Sequence, residues 1–328
     1  MKRILVTGAT GQIGSELTVA LRERCGGDNV VAGIHRRPPN PELARSGPGW
    51  PVDCLDIEAV AGAVERFRVD TIYHLAALLS CRGEEDPAGA WRLNMETLRN
   101  VLEVARARRC AVFFPSSIGV FGPGTPRRLT PQETVLRPTT MYGVTKVAGE
   151  LLCDYYHEHF GLDTRGLRYP GIVSYKTPPG GGTTDYAVEI FHRALDEGRY
   201  ECYLGPETYL DMMYMPDAVR AAIQLMEAEA SRLKHRNGYN VTAMSVSPAL
   251  FEREIRQHIP DFSVSYRTDP LRQRIADSWP DSMDDRAARE EWGWKPAYDL
   301  AAMTREMLSA LRGSGRQLPA QAGPGSAA

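Results

Sequence analysis

A tyrosine and a lysine that could work as a catalytic pair lie near the middle of the sequence. Tyr142 and Lys146 are four residues apart in Met-Tyr-Gly-Val-Thr-Lys, and on a helix this spacing brings both side chains to one face. A phenol has an ordinary pKa of about 10, and a cation at about 4–6 Å favours its ionised form. The pair therefore predicts a general base. A surface tyrosine beside a solvated lysine is the alternative interpretation.

The N-terminus carries a glycine motif that can hold a phosphate. The segment 2–7 predicts a buried strand, and Gly8-Ala-Thr-Gly11-Gln-Ile-Gly14 follows it before an apolar-periodic helix. Glycines permit a tight turn between a strand and a helix, and the free N–H groups at a helix N-terminus attract a pyrophosphate. A glycine-rich turn that binds no ligand could have the same sequence. The position of the motif directly after the first strand favours binding of a dinucleotide.

Strand-like and helical segments alternate after this motif. Apolar strand-like runs occur at 30–34, 71–75, 112–115 and 164–168, and a helical pattern runs through 150–160 to Gly161. This alternation predicts an α/β fold, a Rossmann-type doubly wound parallel sheet with helices on both faces. Ligands of such sheets bind at the carboxyl ends of the strands, near the switch point in strand order. Three short stretches are expected there: Ala76-Ala77, Ser116-Ser117 and Pro170-Gly171.

The regular alternation of strand-like and helical segments ends after residue 171. We expect residues 1–171 to form the dinucleotide-binding domain and residues 172–312 to form mainly a smaller C-terminal substrate-binding domain, with later segments returning to the first. Residues 313–328 are rich in Gly, Pro, Ala and Gln, which predicts a flexible tail. Between 178 and 185 a Gly- and Pro-rich loop opens a helix. Its hydroxyls and carboxylate could bind a small zwitterion, while Thr184 or Asp185 as a simple helix cap is the alternative.

Composition narrows the classes of protein. The chain has 328 residues, 43% of them hydrophobic, and a formal net charge of -2, which gives no electrostatic reason to expect nucleic acid. No apolar run approaches the roughly 18–20 residues that span a bilayer, and the start lacks a signal-peptide pattern, so a cytoplasmic protein without a membrane partner is expected. The six cysteines form no C-x-x-C or Cys/His cluster, which argues against a metal site and a disulfide framework.

The motifs together resemble the extended branch of the short-chain dehydrogenase/reductase superfamily, which includes nucleotide-sugar epimerases. The glycine motif, His74-Leu-Ala-Ala77, the strand end Ser116–Gly122 and the Tyr142/Lys146 pair stand in that family's order, and the resemblance covers nearly the whole chain. Within the branch, four stretches resemble the short-chain type of L-threonine 3-dehydrogenase: residues 168–174, 179–191, 212–215 and 276–280.

The resemblance implies a role for each matching residue. Ser117 would hold the reacting oxygen, Tyr142 would be the general base, and Lys146 would tune it and hydrogen-bond the nicotinamide ribose. The reaction would oxidise the β-hydroxyl of L-threonine, or of a close β-hydroxy-α-amino acid, by hydride transfer to a nicotinamide, giving 2-amino-3-ketobutyrate. A homodimer acting in threonine catabolism is implied as well. The expected substrate contacts are Ser80, Ser117, Tyr142, Gly180, Thr183, Thr184 and Asp185.

The cofactor site is expected at the glycine motif, at the strand ends and at the catalytic pair. Its predicted residues are Gly8, Thr10, Gly11, Gln12, Ile13, Gly14, Arg36, Arg37, Asp53, Cys54, Leu75, Ala76, Ala77, Asn94, Ser116, Tyr142, Lys146, Tyr169, Pro170, Gly171 and Ile172.

The end of the second strand departs from the family pattern. Members that use NAD place an acidic residue there for the ribose 2′-OH, but this chain has Ile34 followed by His35, Arg36 and Arg37. Without that carboxylate, Arg36 or Arg37 could bind the 2′-phosphate of NADP directly. The alternative is that both arginines are solvated and that Asp53 secures only the adenine. The resemblance alone keeps NAD narrowly ahead of NADP.

Two other functions stay open. A nucleotide-sugar epimerase or dehydratase would share the cofactor site and the Tyr/Lys pair, but it needs a roomier second domain that binds a diphosphate, and the short C-terminal half here favours a small amino acid. A non-catalytic NAD(P)-sensing protein would use the same fold. Such a sensor has no need of Ser117, Tyr142 and Lys146, all of which are present.

Overall fold

The secondary structure alternates strands and helices along most of the chain. The computed structural model describes residues 1–176 and 182–314. Within these ranges the strands are β1 Ile4–Thr7, β2 Val30–Ile34, β3 Gly49–Pro51, β4 Thr71–His74, β5 Ala111–Ser117, β6 Thr164–Tyr169, β7 Gly171–Val173, β8 Arg199–Cys202, β9 Leu210–Tyr214, β10 Tyr239–Asn240, β11 Met244–Val246 and β12 Ser263–Tyr266. The α-helices are α1 Gln12–Cys25, α2 Pro41–Arg45, α3 Ile57–Phe67, α4 Ser80–Glu85, α5 Pro87–Arg108, α6 Met141–Phe160, α7 Tyr186–Asp196, α8 Met215–Glu227, α9 Pro248–Arg256, α10 Pro270–Asp277, α11 Arg286–Trp292 and α12 Leu300–Ser314.

Seven parallel strands form the central sheet in the order β3-β2-β1-β4-β5-β6-β10. The order reverses at β1, which pairs with β2 on one side and with β4 on the other, so the switch point lies between β1 and β4. This is the Rossmann-type doubly wound sheet that the alternating sequence pattern predicts, and the prediction is confirmed. The carboxyl ends of β1, β4 and β5 therefore meet at one edge.

Both faces of the central sheet are buried, because successive strand residues point to opposite sides. Ile4 and Val6 of β1 pack beneath α1 and α8 on one face. Leu5 of β1 and Ile72 of β4 pack beneath α3, α5 and α6 on the other. A sheet that is covered on both faces buries every residue of its strands. The strand segments are therefore continuous apolar runs rather than alternating apolar and polar residues.

A smaller C-terminal region packs against this sheet around a core of its own. It contains a three-stranded sheet in the order β11-β9-β7 and the parallel pair β12-β8, covered by α7, α9 and α12. The chain returns to the first unit through α8, β10 and α11. Helix α12 continues to Ser314 and so includes the first two residues of the expected tail, while 315–328 lie outside the described residues. No helix in the described ranges is both long and apolar enough to cross a bilayer.

Candidate active site

The glycine turn after β1 lies against the end of β4 at the switch point. Gly8 has a φ of +67°, and a Cβ there would lie 2.7 Å from both Leu75 C and Ala76 N. A Cβ at Gly14 would lie 2.2 Å from Gly8 O. Both positions therefore require glycine, for the left-handed backbone at the first and for the close approach at both. The fold brings the predicted cofactor residues of the first turn together with Leu75, Ala76 and Ala77.

This turn fits the diphosphate of a dinucleotide. Helix α1 begins at Gln12, directly after Thr10 and Gly11, and no side chain caps its N-terminus. The Gln12 side-chain Nε2 is buried and has no hydrogen-bond partner among the described residues. Buried donors ordinarily have partners, so this orphaned donor and the uncapped N–H groups around Ile13 point to an anionic ligand. The first turn of α1 would hold the phosphates.

The first turn of α6 fixes the catalytic pair. Thr140 caps the helix by accepting a hydrogen bond from Gly143 N at 3.1 Å, and Glu84 Oε1 accepts one from Met141 N at 2.7 Å. Helix α4 thereby holds the start of α6, one residue before Tyr142. The predicted helical spacing is confirmed, because Tyr142 and Lys146 lie one turn apart on α6, and the Lys146 Nζ is 5.6 Å from the centre of the Tyr142 ring.

Burial raises the pKa of Tyr142 above its ordinary value of 10, and a hydrogen bond shared with the Ser117 hydroxyl lowers it by less. The net shift of the Tyr142 pKa is therefore upward, opposite to the lowering that the Tyr142/Lys146 spacing predicts. A buried phenolate loses the water that solvates it, and Lys146 donates to the carbonyl of Pro115 rather than to the phenol. Ser117, the third residue of the predicted trio, ends β5, and its Oγ lies beside Gly119 next to the Tyr142 ring.

Lys146 is enclosed beneath the strand that carries Ser117. Its Nζ donates to Pro115 O at 2.6 Å and lies 4.6 Å from the centre of the Phe114 ring, and the residue is only 5% exposed. Burial lowers the pKa of Lys146 to about 8, while the charge of Glu150, one turn later, raises it. Lys146 is therefore mostly an ammonium at neutral pH, because its pKa still lies about one unit higher.

A buried ion pair behind Lys146 is the part of the site that the sequence did not reveal. Glu150 Oε2 lies 2.8 Å from Arg168 Nη2, and the two side chains are 5% and 8% exposed. Ser116 donates a hydrogen bond to Glu150 Oε1. The one local signal is the spacing, because Glu150 follows Lys146 by four residues on α6. Ser116, predicted as a cofactor residue, is thereby tied to this carboxylate.

His74 and Asn94 hold the sheet edge together. The His74 Nδ1 lies 2.8 Å from Thr7 Oγ1, and burial, then the Lys146 charge, lowers the pKa of His74 to about 3. The imidazole is therefore neutral and links β4 to β1. Asn94 accepts a hydrogen bond from Leu78 N at 2.8 Å and donates to Thr145 Oγ1 at 3.0 Å. The Asn94 side chain positions the loop after β4 against α6, and its predicted contact to a cofactor stays a prediction.

Two predicted cofactor residues have side chains enclosed by the protein. Cys54 is buried, which raises the pKa of its thiol to about 12. Tyr169 donates to Ala218 O at 2.7 Å beneath α8. Their contacts to a cofactor stay a prediction. Pro170 separates β6 from β7, which begins at Gly171 and contains Ile172.

The predicted substrate residues lie on two separate elements. Ser80 is buried at the start of α4, and a Cβ added to Gly83 of the same helix would lie 3.8 Å from Tyr142 N. A Cβ at Gly171 would lie 2.9 Å from Thr184 Cγ2, so the segment before α7 packs on the strand that follows Pro170.

The segment before α7 is itself folded into a turn. Asp185 occupies the cap position of α7, but its Oδ2 accepts a hydrogen bond from Gly182 N at 2.8 Å instead of capping the helix with its side chain. Thr183 is buried beside it, and its carbonyl accepts from Tyr203 Oη at 3.4 Å. Gly180, also a predicted substrate contact, lies outside the described residues. No group of three or more metal-ligating side chains occurs in the parts that are described.

Gly119 gives the Tyr142 ring its space, and enlarging it should slow catalysis. A Cβ at Gly119 would lie 3.2 Å from Cδ1 and Cε1 of Tyr142 and 3.5 Å from Ser117 Oγ. We expect Gly119→Ala to displace the phenol by tenths of an ångström and to lower kcat by about tenfold to a hundredfold. Steady-state kinetics with Gly124→Ala as the control tests this, because a Cβ at Gly124 meets nothing within 4 Å. Equal kcat for both variants would contradict the role of Gly119.

The fold and the site define a Rossmann-type enzyme that depends on a nicotinamide dinucleotide. Residues 4–242 match the model of the NAD dependent epimerase/dehydratase family. The chain belongs to this family. A relative from Staphylococcus haemolyticus, known only as an uncharacterized epimerase/dehydratase, is 53% identical over 311 residues, which cover 95% of this chain and 98% of the relative.

Two solved structures carry more specific names. The L-threonine dehydrogenase of Clostridium difficile is 52% identical with a TM-score of 0.94, and the match covers 96% of this chain and 99% of that one. The holo form of a GalE-like L-threonine dehydrogenase from Cupriavidus necator is 49% identical with a TM-score of 0.91, covering 94% and 99%.

Proposed function

We propose that this protein oxidises the β-hydroxyl of L-threonine, or of a close β-hydroxy-α-amino acid, to give 2-amino-3-ketobutyrate or its homologue. The observation that carries the proposal is the close approach of Ser117 and Tyr142 around Gly119, beside the buried Lys146. A Cβ at Gly119 would lie 3.2 Å from the Tyr142 ring and 3.5 Å from Ser117 Oγ. The identity of about 50% to two L-threonine dehydrogenases over nearly the whole chain supports the choice of substrate.

Three side chains share the proposed reaction: the hydroxyls of Ser117 and Tyr142 and the ammonium of Lys146. Ser117 and Tyr142 bind the β-oxygen of the substrate, and Tyr142 removes its proton as the carbon–oxygen double bond forms. A bound nicotinamide supplies the acceptor for the hydride that leaves the β-carbon. Because burial raises the pKa of Tyr142, its ionised form needs a nearby positive charge, which the ammonium of Lys146 provides within 6 Å of the ring.

The amino-acid end of the substrate is assigned to the segment before α7. Asp185 places a carboxylate there, suited to an ammonium group, and Thr184 packs on Gly171 at the edge of the cofactor site. Ser80 begins α4, whose Gly83 contacts α6 at Tyr142. A small zwitterion between these elements would have its β-hydroxyl at Ser117 and Tyr142.

A substrate panel tests the proposal. Reduction of NAD and NADP is followed with L-threonine, its β-diastereomer, D-threonine, L-serine and a bulkier β-hydroxy-α-amino acid as substrates. We expect L-threonine or a close homologue to give the highest kcat/KM. Because this family and the staphylococcal relative carry the name epimerase/dehydratase, UDP-glucose and UDP-galactose are tested for interconversion. Turnover of a nucleotide sugar without oxidation of any amino acid would overturn the proposal.

A further inference from the structure

A row of basic residues borders the cofactor site and takes no part in the proposed oxidation. β2 ends at Ile34, and residues 35–37 that follow it are exposed. Val6 of β1 is aligned with Ala32 of β2, so the end of β2 lies beside the glycine turn that follows β1. A dinucleotide whose phosphates sit at that turn places its adenosine ribose at the end of the second strand. The basic row therefore directly follows the strand end where the ribose 2′-oxygen would lie.

An apolar side chain stands where selection of NAD requires a carboxylate. An acidic residue at this strand end accepts hydrogen bonds from the ribose 2′-OH and repels a 2′-phosphate. Ile34 does neither. Its side chain lies over β3, since a Cβ at Gly49 would be 2.6 Å from Ile34 Cδ1, and it packs on the apolar core beneath α1.

The carboxylates nearby are each matched by a basic side chain. Asp53 Oδ2 lies 3.5 Å from His35 Nε2, and its Oδ1 accepts a hydrogen bond from Leu55 N at 3.0 Å. Glu42 Oε1 of α2 lies 3.3 Å from Lys176 Nζ. Neither of these pairs includes Arg36 or Arg37.

Arg36 and Arg37 are the exposed cations of this strand end. Neither guanidinium forms a hydrogen bond or an ion pair with another residue in the ranges that the structure describes. A guanidinium binds a phosphate through paired, charge-assisted hydrogen bonds. Two such groups beside a strand end without a carboxylate give an anion-binding surface.

We propose that this surface binds the 2′-phosphate of NADP(H) through Arg36 and Arg37, and that the protein prefers NADP(H) to NAD(H). The inference rests on the proposed function only in that it takes the cofactor to be a nicotinamide dinucleotide. It reverses the narrow preference for NAD that the family resemblance implies, and it concerns binding alone.

Binding without any amino acid tests the preference. The full chain is titrated with NADPH and with NADH by calorimetry, and 2′,5′-ADP and ADP then compete for the bound NADPH. We expect NADPH to bind at least about tenfold more tightly than NADH, and 2′,5′-ADP to compete better than ADP by a similar factor. Both ratios should shrink as the salt concentration rises, since exposed charges are screened. Equal or tighter binding of NADH would overturn the proposal.

Three substitutions assign the preference to residues. Arg36→Ala and Arg37→Ala should each lower NADPH affinity by about threefold or more while leaving NADH affinity nearly unchanged. Arg45→Ala is the control, because it removes one exposed charge from α2, away from the strand end. Ile34→Asp should reverse the preference by restoring the repulsion. If Arg36→Ala, Arg37→Ala and Ile34→Asp all left the ratio of NADPH affinity to NADH affinity unchanged, the proposal would also be overturned.

The two proposals fail in different ways. NADPH binding that needs Arg36, in a protein that oxidises no amino acid, would refute the substrate and leave the phosphate site standing. Oxidation of threonine with NAD but not with NADP would refute the phosphate site and leave the proposed substrate standing.

Discussion

Replacing Tyr142 by phenylalanine should lower kcat by about 10²–10⁴-fold, the usual contribution of a positioned general base. The phenol lies near Ser117 around Gly119, and burial raises its pKa, so the substitution removes the one phenolic group proposed to take the proton. Dinucleotide affinity should change little, because the ring stays in place against Gly119. Steady-state kinetics and a separate binding titration measure the two effects.

Tyr155→Phe is the matched control for this substitution. Tyr155 lies on the same helix, α6, but its side chain is exposed and outside the site. Removing the Tyr155 hydroxyl should leave kcat within about twofold of the wild-type value. If Tyr142→Phe kept near wild-type turnover, the assignment of the base would be refuted.

Replacing Glu150 by glutamine should reduce the free energy of unfolding by about 3–5 kcal/mol, because it leaves the buried Arg168 guanidinium without its counter-charge. The pair is almost fully enclosed, and Arg168 also donates to Gln132 O at 2.9 Å. Chemical denaturation measures the loss. The pKa of Lys146 should fall further in this variant, since the charge of Glu150 raises it.

Two further variants test whether the loss of stability comes from the buried ion pair or from removing any carboxylate. Glu227→Gln removes the partner of Arg24 in an exposed pair and should cost about 0–1 kcal/mol. Adding Arg168→Met to Glu150→Gln removes the uncompensated charge, so the double variant should be more stable than the single one. A cost below about 1 kcal/mol for Glu150→Gln alone would show that the pair does not organise this part of the fold.

The sequence predicted those features of the fold that depend on local patterns. The strand at 30–34 matches β2, and the helix through 150–160 ends where expected because Gly161 adopts a left-handed φ of 64° that stops it. Glycine spacing located the turn at the switch point, and the four-residue spacing placed Tyr142 and Lys146 one turn apart. Each of these signals lies within a few residues, where propensity and periodicity act.

The parts that the sequence did not give depend on distant contacts. Arg168 meets Glu150 because β6 returns beside β5, and no pattern in either segment states that pairing. The upward shift of the Tyr142 pKa depends on distant contacts as well, since α4, α6 and the loop at Gly119 bury the phenol together. Asn94 and Tyr169 have the residue types of ligand contacts, yet their polar atoms bind the protein.

The most direct test follows the hydrogen that leaves the substrate. L-threonine with deuterium at the β-carbon is incubated with the protein and the preferred oxidised dinucleotide, and the reduced dinucleotide is examined by NMR. We predict one deuterium on the nicotinamide ring for each molecule reduced, together with a β-keto product. Reduced dinucleotide without deuterium, or no reduction by threonine and its close homologues, would contradict hydride transfer from the carbon that Ser117 and Tyr142 are proposed to hold.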